Sequence, residues 1–405
     1  MFDIMDEVVK MRDILHCDLN SFFASVEMVK NPSLRNVPMA VCGDPKLRHG
    51  IILAKNEIAK KYGVYTPETV YSAKKKCPNL VLVEGNYSDY KKFSKLVNNI
   101  YLKYTDRVEP FGIDESFLDI TESKRLFGSP VEIAYKIKEE VKNTLGLTIS
   151  VGVSFNKSLA KLGSDLKKPD AVTHIPYNNF KNIVFSLPVQ SLLFVGKSTL
   201  PVLNKMGIYT IGQLANFDKE KLTKKLGKSG IALYNMANGL ENDEVRRWGN
   251  WDEPKSISKG HTFPKDLDNS LEIEKEIKKL TFDVVSSLRH NNLKAGSIGI
   301  SIKNNKFVSI KRSKHIEKTN LYQSILNNIL DLFHSNYTEG KKIRAVTVSV
   351  SNFNEKEEQI NLFEYVEKVK NEESYKLKIA TDVLDNIQDM YGRGIINFGN
   401  LMDIN

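Results

Sequence analysis

The stretch VEPFGIDESFLDIT (residues 108–121) decides the reading of this chain. Two adjacent acids, Asp114 and Glu115, sit inside an apolar run, flanked by Phe111, Ile113, Phe117 and Leu118. Apolar residues on both sides of a polar pair predict a hairpin, with the pair at its turn or just beside it. A third acid, Asp18, stands near the end of DILHCDL (13–19), which reads as a short buried strand. Acids embedded in apolar strands are costly unless they are paired, hydrogen-bonded or bound to a cation. Two readings of the residues stay open. Each acid is solvated at a strand end, or the three converge and a divalent cation relieves their repulsion. Mg²⁺ fits the second reading, because it prefers oxygen ligands and pairs a few carboxylates with water and phosphate. Two such ions about 3.5–4 Å apart would activate a hydroxyl and stabilise a leaving pyrophosphate.

Outward from these strands, the chain alternates. FFASVEMV (22–29) reads as a helix with Asn20 or Ser21 as its N-cap. VPMAVCG is a strand, a helix is expected from Asn56 to Tyr62, and NLVLVEG (79–85) is strand-like. SDYKKFSKLVNNIYLKY is a long amphipathic helix, and VEIAYKIKEEVKNTLG (131–146) is a helix that stops at Gly146. LTISVGVSF (147–155) is the most strand-like run, and KSLAKLGSDLKK after it is a helix closed by Pro169. Residues 10–176 therefore read as an α/β or α+β domain. Residues 180–243 are helical with Gly-centred turns, 244–255 read as a linker, and 256–352 read as a second, smaller α+β domain.

At 405 residues, the chain is long enough for two or three domains with their own cores. Lys+Arg is 59 against Asp+Glu 49, a net charge of +10. Residues 256–352 hold 16 Lys+Arg and 9 Asp+Glu, so most of the excess lies in under a quarter of the length. The stretch 353–405 is net acidic. No run approaches the roughly 18 apolar residues of a membrane span. The charged N-terminus MFDIMDEVVKMRD is not expected to be a signal peptide. Cys17, Cys42 and Cys77 match no metal or redox spacing, so a cytoplasmic protein with inert thiols is expected. The seven histidines, His16 among them, are scattered and suggest no site. No P-loop, G-x-G-x-x-G, HExxH or G-x-S-x-G string is present.

Other groups carry a functional and an ordinary reading side by side. Lys60, Lys61, Lys157 and Lys161 are either a solvated face or, placed near the acids, a counter-charge for a triphosphate. Phe22 and Phe23 are either core or, for one ring, a platform against a sugar or base. Phe194-Val195-Gly196-Lys197-Ser198-Thr199 is either a plain helix–helix turn or a set of backbone N–H groups for a DNA phosphate. Lys303, Lys306, Lys311, Arg312 and Lys314 are either a solubilising surface or a sheet that follows a phosphate backbone.

Three strings, in order, carry a resemblance. They are HCDLNSFFASVE (16–27), GIDESFLD (112–119) and SVGVSFNK (150–157) running on to Lys161. Together they resemble the Y-family DNA polymerases of the DinB, or DNA polymerase IV, type, and the likeness spans at least residues 13–352. The resemblance implies an α+β multidomain right hand. It would have a ferredoxin-like palm (10–21 and 88–176), small fingers (22–87), a helical thumb with a helix-hairpin-helix (177–243) and an α+β little finger (256–352). Asp18, Asp114 and Glu115 would be the catalytic, metal-binding acids, with the Leu19 carbonyl as a further ligand for two Mg²⁺ ions. Phe22, Phe23, Lys60 and Lys161 would bind the nucleotide, with Phe23 the steric gate against a ribose 2′-OH. Gly196, Lys197, Ser198, Lys303, Lys311 and Arg312 would contact DNA. Gln359, Leu362 and Phe363 would dock on a sliding clamp.

The implied activity is template-dependent, low-fidelity translesion synthesis on primed DNA with dNTPs, by a cytoplasmic monomer. Two departures stand out. Asn56-Glu57-Ile58-Ala59-Lys60 replaces the family's usual Tyr-Glu-Ala-Arg, so Glu57 is expected to point away from phosphate or to pair with a lysine. Phe194 stands where the thumb turn usually has a second glycine. Two other classes compete: a non-catalytic relative that binds DNA and partners only, and a nucleotide cyclase with a similar two-metal core. The first would have lost a palm acid, and the second would need neither the thumb turn nor a basic domain.

Overall fold

The computed structural model describes residues 11–44 and 50–353, with Val383. The clamp-peptide residues Gln359, Leu362 and Phe363 lie outside the described residues. The chain forms two compact units that part between Trp251 and Asp252.

In the first unit, β1 (Ile14–Leu19) leads into α1 (Phe22–Lys30), then β2 (Met39–Cys42), β3 (Ile52–Lys55), α2 (Glu57–Lys61), α3 (Val70–Lys76) and β4 (Val81–Glu84). Next come α4 (Tyr87–Tyr101), β5 (Val108–Pro110), β6 (Glu115–Asp119), α5 (Lys124–Phe127), α6 (Pro130–Leu145), β7 (Ile149–Ser154), α7 (Lys157–Leu166) and β8 (Val172–His174). Five short helices close the unit: α8 (Phe180–Val184), α9 (Leu200–Lys205), α10 (Ile211–Ala215), α11 (Lys219–Leu226) and α12 (Lys228–Ala237).

The main sheet has the order β5-β6-β1-β7-β8, and a small sheet has the order β3-β2-β4. β1 is central and antiparallel to both neighbours. Its alternation sorts two faces. Leu15, Cys17 and Leu19 join the large core with residues of α4 and α6, whereas Ile14 packs with Phe117 of β6 and Ala160 of α7 on the other face. Gly152 of β7 explains why α7 lies so close. A Cβ there would meet the Ala160 carbonyl oxygen at 1.8 Å and the Ser164 nitrogen at 2.4 Å. Gly146 ends α6 at φ 66°, the left-handed turn that the sequence stop implies.

Two local expectations need correction. Ser21 precedes α1 but does not cap it with its side chain, because it sits at φ 47° in a left-handed turn off β1. Asn20 does not cap either, since its amide donates to Ser150 Oγ at 2.8 Å and its oxygen accepts the Asp170 N–H at 2.8 Å. Half of the expected linker is also fixed. The Trp248 N–H donates to the Asp106 carbonyl at 2.9 Å, the Arg246 N–H donates to Glu109 at 2.9 Å, and Val245 is fully buried. β5 is an edge strand, and this segment shields it.

The second unit comprises β9 (Ser256–Leu267), α13 (Ser270–His290), β10 (Ala295–Asn304), β11 (Ser309–Thr319), α14 (Tyr322–His334) and β12 (Ile343–Ser351). Its antiparallel sheet runs β11-β10-β12-β9. Ile298, Ile300, Ile302, Val346, Val348 and Val350 bury one face against α13 and α14. All three cysteines are free and buried, and no helix among the described residues is long and apolar enough to cross a membrane.

Candidate active site

Period-two alternation builds the site. Asp18 lies directly across from Glu115, and His16 across from Phe117, so all four point to the α7 face of the sheet. Two carboxylates facing one another across strands repel. The helix that Gly152 admits supplies the remedy: Lys161 Nζ lies 3.1 Å from Asp18 Oδ2 and 3.1 Å from Glu115 Oε2. Asp114 occupies the turn before β6, and its carbonyl accepts the Leu19 N–H at 3.0 Å, which ties the turn to the end of β1. The sequence-predicted acidic trio, with Leu19 beside it, is therefore in one place.

Two further residues complete the cluster. Lys168 Nζ lies 2.6 Å from Asp18 Oδ2 and 2.7 Å from Asp165 Oδ1. His16 is fully buried, with Nε2 3.1 Å from Glu115 Oε2 and Nδ1 2.8 Å from Ser164 Oγ. Periodicity pointed to neither. Lys168 lies beyond its helix end, and His16 is one apolar-flanked histidine among seven. The signal for His16 was its place two residues before Asp18, which puts both on one strand face.

The electrostatics divide the acids. Burial, and then the charges of Asp18 and Glu115, push the Asp114 carboxyl up to about 6. Burial also pushes Glu115 up, but the His16 hydrogen bond and Lys161 outweigh it and hold Glu115 below the usual range. Desolvation lowers His16 against the pull of its hydrogen bond to Glu115, and its ring nitrogen orients the Glu115 carboxylate. Ligand atoms of His16, Asp18 and Glu115 lie within 4.8 Å of one another. The oxygen donors, with ammonium groups standing in as cations and Asp114 without an ion-pair partner among the described residues, fit a divalent metal ion.

The other expected residues divide in the same way. Phe23 is half-buried, stacked on Tyr90 of α4 at 4.2 Å between ring centroids and 10° between planes. The Tyr90 hydroxyl in turn donates to Glu27 at 2.8 Å. Phe22 turns into the core at 3% exposure, so its ring is not available to a nucleotide and any contact from it must come through its backbone. Lys157 turns to Glu109 at 2.7 Å. Lys60 pairs with Glu57 at 3.4 Å on its own helix, one of the outcomes expected for Glu57. Of that set of lysines, Lys161 alone contacts the acids among the described residues.

Gly196, Lys197 and Ser198 are exposed ahead of α9, and Phe194 is 65% exposed at φ 68°. In the second unit, the sheet face away from the helices is a polar groove of about 780 Å³, bordered by Ser258, Ser301, Lys303, Lys311, Thr347 and Ser349. Arg312 borders it too, but its guanidinium is turned away. Arg312 pairs with the core residue Ile300, and its Nε donates to Asn336 at the end of α14, at 2.9 Å. Successive strand residues face opposite ways, so Lys311 and Arg312 do not share a face.

The first unit thus combines a five-stranded sheet, paired carboxylates at a strand end and a run of short helices, and the second a four-stranded sheet backed by two helices. The sequence matches the impB/mucB/samB family over residues 17–165 and that family's C-terminal domain over 254–362. A solved Y-family DNA polymerase chimera of Dbh and Dpo4 superposes with a TM-score of 0.75 at 24% identity, covering 84% of this chain and 99% of its own. Its fold is therefore that of a Y-family polymerase. A DNA polymerase IV of Acetivibrio thermocellus is 45% identical over 393 residues, 95% of this chain and 97% of its own length. A DNA polymerase IV of Clostridium kluyveri is 36% identical over 395 residues, 96% of this chain and 98% of its own. The chain belongs to the impB/mucB/samB family, in the DNA polymerase IV group.

Proposed function

We propose that the chain is a template-directed, low-fidelity DNA polymerase of translesion type, with Asp18, Asp114 and Glu115 as its metal-binding acids. The observation that carries this reading is the cross-strand pair Asp18–Glu115, bridged by Lys161 and joined by the high-pKa Asp114. Full-length similarity to DNA polymerases IV supports it.

In this reading residues 10–21 and 88–176 form the palm, 22–87 the fingers, 177–243 the thumb and 256–352 the little finger. When bound, two Mg²⁺ ions supply Lewis-acid activation of the primer 3′-OH and charge stabilisation of the leaving pyrophosphate. The chain's residues do the rest. Asp18, Asp114, Glu115 and the Leu19 carbonyl supply the oxygen donors, and His16 fixes the rotamer of Glu115. Lys161 faces the nucleotide's triphosphate as the 3′-OH attacks the α-phosphate. The Phe23 ring lies under the sugar, where a ribose 2′-OH would clash. Gly196, Lys197 and Ser198 contact the DNA backbone, as do Lys303 and Lys311 from the polar groove. On sequence grounds, Gln359–Phe363 docks on a sliding clamp, and the enzyme works as a cytoplasmic monomer.

Primer extension with purified protein, Mg²⁺ and dNTPs tests the reading. Wild type is expected to make short, template-directed products. Asp114→Ala and Glu115→Ala are expected to make none while still binding DNA. Wild-type protein that binds primed DNA and yields no product would reject the catalytic assignment.

A further inference from the structure

We propose that Asn20 is a positioning residue of the metal site. It locks the Leu19–Asn20 peptide and so aims the Leu19 carbonyl to the side of β1 where Asp114 stands. This inference rests on the polymerase reading above, in which that carbonyl is a ligand.

All four polar atoms of Asn20 are hydrogen-bonded. Its N–H donates to the Thr148 carbonyl at 2.9 Å, and its carbonyl accepts from Ser25 Oγ at 2.7 Å. Its Nδ2 donates to Ser150 Oγ at 2.8 Å, and its Oδ1 accepts the Asp170 N–H at 2.8 Å. Asn20 is 8% exposed and Ser150 1%, so these bonds are made away from water and losing a partner is costly. Ser150 stands on β7 directly across from Asp18, so the Asn20 amide continues the row that His16 and Asp18 begin. His16 holds Glu115 on one side of Asp18, and Asn20 holds the strand end on the other.

The consequence for Leu19 follows from the peptide bond. In a planar trans peptide the C=O and the next N–H point in opposite directions. The Asn20 N–H points to β7, so the Leu19 carbonyl points away from β7, toward the β6 side. The Leu19 N–H points that way too, since it donates to the Asp114 carbonyl at 3.0 Å. The Asn20–Thr148 bond lies at the end of the β1–β7 ladder, just before Ser21 turns the chain at φ 47°. Terminal bonds of this kind fray unless something else holds them. Here the side chain does so, fastening the strand end to β7 through Ser150 and to the turn before β8 through Asp170. A hard divalent cation needs its oxygen ligands in place, and groups that orient such ligands are worth about 10–100-fold in affinity.

The test is Mn²⁺ titration of the full chain, read by the electron paramagnetic resonance of free Mn²⁺. It is run with dNTP and a dideoxy-terminated primer–template that blocks chemistry. Asn20→Leu loses both side-chain bonds and is expected to bind Mn²⁺ about tenfold more weakly than wild type. In primer extension its Mg²⁺ midpoint is expected to rise by a similar factor, while the rate at saturating Mg²⁺ falls less. Asn20→Asp keeps one oxygen for the Asp170 N–H and offers another to the Ser150 hydroxyl, so it is expected to bind Mn²⁺ no more weakly than wild type. Ser150→Ala leaves Nδ2 without its partner and is the second variant should Asn20→Leu fold poorly. It is expected to weaken Mn²⁺ binding severalfold. Wild-type Mn²⁺ affinity in folded Asn20→Leu or folded Ser150→Ala overturns the proposal. So does a lower rate at saturating Mg²⁺ with an unmoved Mg²⁺ midpoint, the mark of a residue that serves the fold alone. Asp18→Asn separates the two levels: if it binds Mn²⁺ as wild type does, the metal-site assignment has failed and the role of Asn20 falls with it.

Discussion

Single residues carry the selectivity of the proposed site, and Phe23 is the clearest case. Its ring is held by a parallel stack on Tyr90, which Glu27 anchors through a hydrogen bond. Phe23→Ala is expected to admit ribonucleotides, measured as the ratio of rNTP to dNTP incorporation in single-turnover primer extension. Tyr90→Ala leaves the gate present but loose. An aromatic pair contributes about 0.5–1.5 kcal/mol, so discrimination should fall by roughly tenfold at most. Equal loss in both variants would mean that Tyr90 itself meets the sugar. Phe194 shows the opposite situation, a residue at odds with its backbone. Its φ of 68° costs an ordinary side chain about 1–2 kcal/mol, and glycine's extra unfolded-state freedom costs about 0.5–1. Phe194→Gly is therefore expected to raise stability by up to about 1 kcal/mol in urea unfolding. At this scale the sequence was legible where chemistry was unusual, as with acids in apolar strands. It was silent on Lys168 and Tyr90, whose roles depend on which side chain lies across a gap in space.

Elements bring those residues together, and the helix α7 does most of it. Its approach to β7 depends on Gly152 having no Cβ, since an added carbon would sit 1.8 Å from a backbone oxygen. Backbone cannot yield as a side-chain tip can, so Gly152→Ala should displace α7 and with it Lys161. The expected cost exceeds about 3 kcal/mol, seen as a large drop in thermal midpoint together with lost Mn²⁺ affinity. Strand and helix runs were readable from alternation and from stops such as Gly146, because local patterns set them. Closeness of packing and the docking of 244–248 on the β5 edge were not readable, because both are set by partners distant in sequence. Glu68 is another such partner. Its buried carboxylate accepts from the Tyr65 N–H, Ser72 and Lys76 at 2.7–2.8 Å, and so pins the loop before α3. Burial pushes this carboxyl up, but Lys76 and the two hydrogen bonds outweigh it, so its folded pKa lies below 4.5. Stability from Glu68 is then fully present above that pH and lost as pH falls through the lowered value. Glu68→Gln should cost about 2 kcal/mol near neutrality, and the gap from wild type should close only in acid. A gap that is constant down to the acid-unfolded state would remove Glu68 from the account.

Across the whole molecule, the proposed reading makes the distribution of charge, more than its total, the feature that would hold DNA. The net of +10 is modest for 405 residues, but residues 256–352 carry 16 Lys+Arg against 9 Asp+Glu. The four-stranded sheet puts Lys303 and Lys311 on its open polar face and sends Arg312 to the helix side. A face of serines, threonines and lysines presents donors to phosphates and few groups shaped to read bases, which suits a polymerase that must accept any template. Affinity for primed DNA should therefore fall steeply with salt, because each neutralised phosphate releases counterions. Lys303→Ala and Lys311→Ala should each lower the slope of log K against log salt by about one, uniformly across DNA sequences. Arg312→Ala should leave the slope nearly unchanged and instead cost some stability through Asn336. The comparison is internal to one strand, since Lys311 and Arg312 are neighbours in sequence and differ in the face they occupy. Fluorescence anisotropy over a salt series would resolve it, and an equal loss of slope at both positions would mean that DNA reaches around the edge strand rather than lying on the open face.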